Sequence, residues 1–342
     1  MHSERSRNAV VVCTPDTGWD GLAEALAAAG PGDRIRCAAG DYHGAVTLRV
    51  PTGVTLEADP GASLLWTGTG SALQVEGEAV AIKGIAIRAS RPPSGDQDDS
   101  SDRIYEALLL ILDSHGVQVT DCSFRKGGED FYGISIRRSK AVVIETCVAE
   151  GCRNGIAAWS SEWCGTANRC FGNVGNGIAL GRDPETLDVP SSAPLLANRC
   201  HDNQGPGVLF SSSHGRAEGN DCWGNGAGIV AQRDENSPDA PSDVALLGNR
   251  CHDNQEAGVV FLSSQGCAEG NDCWGNGTSG ITAQRGSNSP DAPSDVALLA
   301  NRCHDNQEAG VGFASSQGRA EGNDWLGEWR TGNRRAARPE VP

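Results

Sequence analysis

The chain has 342 residues, a formal net charge of −16, 45 glycines, one methionine and only 5% aromatic residues. So acidic a surface repels nucleic acid and anionic membranes, and neither is expected as a partner. A conventional globular core would be short of large side chains, whereas stacked repeats bury their faces against one another.

In chain order, residues 1–8 are polar and read as a flexible tail. The apolar run 9–12 is too short for a signal-peptide core, and no stretch reaches the ~20 apolar residues of a membrane span. A cytoplasmic location is therefore expected. Residues 18–29 (GWDGLAEALAAA) read as a short helix stopped by Gly30 and Pro31. It is expected to cap an open β-edge, with the cap spanning about residues 9–50. The segment 91–106 carries Asp96, Asp98, Asp99 and Asp102 without the spacing of an EF-hand, and reads as a solvated lid.

Repeats dominate the rest. NRCHDNQGPGVLF (198–210), NRCHDNQEAGVVF (249–261) and NRCHDNQEAGVGF (301–313) alternate with two copies of GNDCWGNG. Both share Asn-x-Cys-x-x-Asn, followed by Gly and a Val or Ile. Cys122, Cys147, Cys170, Cys200, Cys222, Cys251, Cys273 and Cys303 recur at steps of 25, 23, 30, 22, 29, 22 and 30, and 22 more reach Trp325. Short β-branched runs alternate with Gly/Asn turns, which is strand chemistry. Three strands per coil, stacked in parallel, are expected over 9–329. Residues 330–342, with Arg330, Arg334, Arg335 and Arg338, form a basic tail. The cysteines should make an internal column of reduced thiols, and the asparagines turn ladders.

The run PGDRIRCAAGDYHGAVTL (31–48) after the helix resembles the opening of pectin-lyase-like β-helix proteins. The Asn-x-Cys-x-x-Asn…Gly-Ile coils are similar to the repeats of the carbohydrate-binding and sugar-hydrolase group and of F-box β-helix proteins. The resemblance implies an all-β, right-handed parallel β-helix, with ligands lying along the first strand of each coil. It fits lyases, hydrolases, epimerases and non-catalytic binders alike.

Alternation sends Ile134, Ile156, Ile178, Val208, Ile229, Val259, Ile281 and Val311 inward. Ser135, Leu209, Val230, Val260 and Thr282 then face out, followed two residues on by Arg137, Trp159, Gln232, Leu262 and Gln284. This strand face lacks the clustered carboxylates of polysaccharide lyases and hydrolases. Long coils add loops 182–193, 233–244 and 285–296, in which Arg182, Asp183, Arg233, Asp234 and Arg285 should wall one side of a groove. The irregular middle coils bring Asp113 and His115 near Arg137 and Arg138, with Glu129, Asp130 and Tyr132 entering from the opposite side. An acid or imidazole beside guanidinium groups supports proton abstraction and oxyanion stabilisation. A second stripe, Phe171, His201, Trp223, His252, Trp274 and His304, reads as packed aromatics or a sugar-stacking platform. No metal or cofactor is expected. Two functions fit. One is a cofactor-independent lyase, isomerase, epimerase or cyclase-like enzyme acting on a sugar or partly apolar small molecule. The other is a scaffold holding an extended glycan or peptide, with a protein partner.

Overall fold

The computed structural model describes residues 8–89, 106–126, 128, 130–234, 237, 240–286 and 293–326. Its strands fall into three parallel sheets of 13, 11 and 12 strands, visited in turn by each coil. This is the arrangement of a right-handed parallel β-helix, the sense that parallel crossovers favour. The single helix described, Gly18–Ala28, buries Trp19, Leu22 and Leu26 along one face. Contacts divide the chain into two units, Met1–Ala157 with Ser161–Arg169, and Ala158–Ser160 with Cys170–Pro342.

The first unit is held by aliphatic columns. Ile35, Leu56, Ile82, Val119 and Ile144 align in register through the 13-stranded sheet and are fully buried. Trp19 stacks on Trp66 with ring centroids 5.7 Å apart and donates its indole N–H to the Val46 carbonyl at 2.8 Å. A Cβ on Gly44 would fall 1.9 Å from the Trp19 ring, so only glycine admits the indole there.

Register corrects part of the cysteine column. Cys147 donates its backbone N–H to Asn168 Oδ1 at 2.9 Å, so Asn168, not Cys170, follows it in the stack. The Cys122 thiol, the Cys147 thiol and the Asn168 amide donate to Ile82, Val119 and Ile144 carbonyls, which share one register position. The early cysteines therefore occupy an asparagine position, each thiol replacing one amide donor. Cys147→Asn is expected to hold or raise the melting temperature, because its Oδ1 would also reach the Cys122 N–H. A fall of several degrees in a thermal melt would show that the sites differ.

In the second unit the column is as the spacing implies. Cys200, Cys222, Cys251, Cys273 and Cys303 pair in register and end on Trp325. Two asparagine ladders flank it. Asn203, Asn225, Asn254, Asn276 and Asn306 each pass a side-chain hydrogen bond to the next, at 2.8–3.2 Å. The residue before each ladder position turns the chain in the left-handed region, with φ of 55° at Asp202, 65° at Gly224 and 53° at Asp253. Short polar Asp and glycine tolerate that conformation better than other residues.

Core volume in this unit is conserved coil by coil. Phe210, Ala231, Phe261 and Ala283 alternate in one sheet. Across the core, the 13-stranded sheet supplies Gly215 and Ala217 to the Phe210 coil, then Val244 and Leu246 to the Ala231 coil. A Cβ on Gly215 would lie 2.9 Å from the Phe210 ring. Large and small side chains thus exchange places between sheets at close-packed density.

Candidate functional site

Strands Val208–Ser211, Ile229–Gln232, Val259–Leu262, Ile281–Gln284 and Val311–Ala314 pair in register in the 11-stranded sheet. Val208, Ile229, Val259 and Ile281 point into the core and are fully buried. Their neighbours Leu209, Val230, Val260 and Thr282 form an outer column, with Gln232, Leu262 and Gln284 in a second. Together with the preceding turns they enclose a trough of about 650 Å³. Its floor is an apolar patch of Ala227, Val230, Ala257 and Val260, against which Leu209 and Leu262 pack.

One rim is a stack of turns. Glu256 N–H donates to Gly226 O at 2.8 Å, Thr278 N–H to Glu256 O at 3.3 Å, and Glu308 N–H to Thr278 O at 3.0 Å. Glu256 and Glu308 are thus two coils apart, roughly 9.6 Å by strand spacing. The lining also holds Gln204, Gln232, Gln284, Thr278, Ser279 and Thr282, and among the described residues no lysine or arginine. Ser279 is 8% exposed, and neither its hydroxyl nor those of Thr278 and Thr282 has a partner among the described residues. Sequence reasoning located the floor but missed the acids. Alternation along a strand ignores the turn before it, where NQEAG in the two later copies replaces NQGPG in the first.

The Arg182 and Arg233 side chains, which open the first two long loops, bond to backbone carbonyls, and neither lines the trough. Arg182 Nε donates to Ser212 O at 3.0 Å and its guanidinium also to Leu187 O. Arg233 Nε donates to Ser263 O at 3.3 Å, and the Arg285 backbone N–H donates to Ala314 O at 3.3 Å. Asp183 is fully buried and accepts the Glu185 N–H at 2.9 Å. Asp234 accepts the Ser211 hydroxyl at 3.1 Å. Trp159 lies across Gly181, where a Cβ would come within 2.5 Å of the indole. Of these predicted ligand contacts, only Leu209 packs against the trough floor.

In the first unit, Asp113 and Arg138 stand at equivalent left-handed corners, with φ of 47° and 46°. They form a two-pronged ion pair at 2.8 and 2.9 Å. The Asp113 side chain is 56% exposed, and such surface pairs contribute about 0–1 kcal/mol. His115 is exposed on the same corner, bridged through its backbone to Glu78 and Lys140. Arg137 faces outward by alternation yet is fully buried. Tyr132 is buried under the Arg153 guanidinium, 5.5 Å from the ring centre, and Asp130 is also buried. Tyr132 and Arg137 end the same six-residue strand, roughly 17 Å apart at ~3.3 Å per residue. The structure thus gathers Asp113, His115 and Arg138 and leaves Asp130 and Tyr132 at the other end. Glu129, the Asp-rich lid and the basic tail lie outside the described residues. Among the described residues no group of three or more His, Cys, Asp or Glu side chains is placed to hold a metal.

On the 12-stranded sheet the ring stripe is one continuous stack. Phe171, His201, Trp223, His252, Trp274 and His304 lie with successive centroids 4.2–5.9 Å apart and planes within 10°. His201, Trp223, His252 and Trp274 each have a ring stacked on both sides. His252 is held between Asp253 at 2.8 Å and Asp221 at 3.3 Å, and His304 likewise between Asp305 and Asp272. The Arg199 and Arg250 guanidiniums lie 5.5 and 5.6 Å from the Trp223 and Trp274 ring centres. The stripe is packing.

The sequence matches the family described as right handed beta helix region over residues 99–238 and again over 198–325. The chain belongs to that right-handed β-helix family. No curated protein sequence matches it. Among solved structures, the mannuronan C-5 epimerase AlgE6 A-module of Azotobacter vinelandii is 16% identical, with a TM-score of 0.57 over 91% of this chain and 94% of that one. The polygalacturonase of Erwinia carotovora ssp. carotovora is 12% identical, with a TM-score of 0.59 over 96% and 99%. The Dettilon tailspike protein is 15% identical, with a TM-score of 0.63 over 91% of this chain and 65% of that one. At these identities the likeness is one of fold.

Proposed function

We propose that the trough of the second unit holds an extended glycan, as a recognition surface. The observation that carries this reading is the lining. Thr278, Ser279 and Thr282 offer hydroxyls that no described residue satisfies, beside the Gln232 and Gln284 amides and over an apolar floor. Sites for small ligands combine an apolar surface with a few placed polar groups in this way. The names of the epimerase and polygalacturonase relatives, which concern saccharides, are consistent with it. Thirteen free cysteines suit a reducing, cytoplasmic setting.

Titration calorimetry with a panel of neutral, amino and uronic-acid oligosaccharides tests the site. Gln232→Ala with Gln284→Ala should weaken binding roughly 5- to 150-fold, since each hydrogen bond contributes about 0.5–1.5 kcal/mol. Thr282→Trp should block the trough while leaving the melting temperature within a few degrees. If no oligosaccharide binds, or if both variants bind as the parent does, the reading is wrong. Glu256 and Glu308 favour a second reading, acid–base catalysis on the bound sugar. Their backbones stand roughly 9.6 Å apart by strand spacing, just above the ~6.5–9.5 Å that separates the carboxyls of inverting glycosidases. New saccharide products, absent with Glu308→Gln, would establish it.

A further inference from the structure

We infer that the trough selects saccharides bearing free amino groups over neutral and uronic-acid ones. The inference rests on the trough being a glycan site. Its support is the sign and position of charge around that lining. Glu256 and Glu308 are exposed on the rim, stacked either side of Thr278, and no lysine or arginine among the described residues lines the cavity. The nearly buried Ser279 hydroxyl, without a partner among the described residues, opens between them onto the floor. A ligand running along the coils would pass both carboxylates while its hydroxyls meet Thr278, Ser279 and Thr282.

Charge then decides among glycans of similar shape. A uronic-acid polymer would bring a carboxylate per sugar to a rim already carrying two, on a protein of net charge −16. Like charges so placed repel, whereas an ammonium on the sugar pairs with each glutamate. Because both glutamates face water, each pair is a weak surface contact. Two together give a preference on the order of tenfold, and salt should erode it as the screening length falls from ~10 Å at 0.1 M to ~3 Å at 1 M.

The test compares a glucosamine hexamer, its fully N-acetylated counterpart and a galacturonate hexamer by calorimetry on the full chain. The glucosamine hexamer should bind about tenfold more tightly than the acetylated one, and the galacturonate hexamer least tightly. In Glu256→Gln/Glu308→Gln that preference should vanish, and 1 M salt should reproduce the effect in the parent. Equal binding of amino and acetylated hexamers, or a preference for galacturonate, would overturn the inference and leave the site standing. A preference that survives in the double variant would overturn it too. Failure of all three to bind would overturn the site reading with it.

Discussion

Asn225→Ala should cost the fold roughly 3–6 kcal/mol, the largest effect expected of any single truncation in the ladders. The Asn225 amide donates to Cys200 O at 2.9 Å and to Asn254 Oδ1 at 3.2 Å. Its own Oδ1 accepts the Asn203 backbone N–H at 3.1 Å and the Asn203 side-chain N–H at 2.8 Å. The side chain is fully buried, so water cannot replace these partners. Alanine would strand the Cys200 carbonyl and the Asn203 backbone N–H, at about 1–3 kcal/mol for each buried unsatisfied group, and the Asn203 amide, which keeps Cys170 O at 3.1 Å, would lose one further bond. Asn225→Asp should be at least as harmful, because it sets a carboxylate oxygen against the Cys200 carbonyl and Asn254 Oδ1. Urea titration of both variants measures the loss. A cost below about 1 kcal/mol would mean that neighbouring coils close up around the gap.

The second large effect is loss of stability in alkali. Hydrogen bonding to a neighbouring sulfur, Cys170 for Cys200, Cys200 for Cys222, and Cys222 and Cys273 for Cys251, keeps the proton on these three buried thiols and holds them well above their ordinary 9.0, and burial adds to it. Folded-state values are raised, so the unfolded chain releases these protons first. The contribution is complete below pH 9 and falls as pH rises through and beyond it. Each thiol contributes a slope of about 1.4 kcal/mol per pH unit, so the three together approach 4 kcal/mol per unit. Denaturation midpoints between pH 8 and 10.5 should show this slope, and Cys222→Ala should reduce it. A flat profile would mean that the column does not titrate as a set of buried thiols. At neutral pH, alkylation should reach the half-buried Cys164 and Cys267 well before the column.

What could be read in advance divides along physical lines. Parallel stacking, the inward column from Val208 to Ile281 and the Asn ladders follow from spacing, because a strand alternates faces and a coil returns to register. The shift between Cys147 and Cys170 was hidden because cysteine serves two positions, core hydrophobe and thiol donor, and letters alone do not separate them. Arg137 shows a second limit. Alternation tells which face a side chain leaves from. It is silent on what then covers that face, and Arg137 ended buried instead of lining an open groove. The trough's acids escaped for a third reason, since Glu256 and Glu308 belong to turns whose side chains reach the groove only once the coils are stacked.

The alternation of large and small side chains sets a rule for how such a molecule can grow. His201, Trp223, His252, Trp274 and His304 alternate down one column, and Arg199, Asp221, Arg250, Asp272 and Arg302 down the next. Phe210 and Ala231 begin a third such series. Copying one coil would set phenylalanine on phenylalanine and aspartate beside aspartate, whereas copying two preserves every neighbour. The heritable unit is therefore the double coil of 51 or 52 residues that separates Cys200, Cys251 and Cys303. From the copy containing Glu256 onward, a further duplication would lengthen the trough by one more glutamate and one more glutamine, so a longer ligand could be met without new residues being invented.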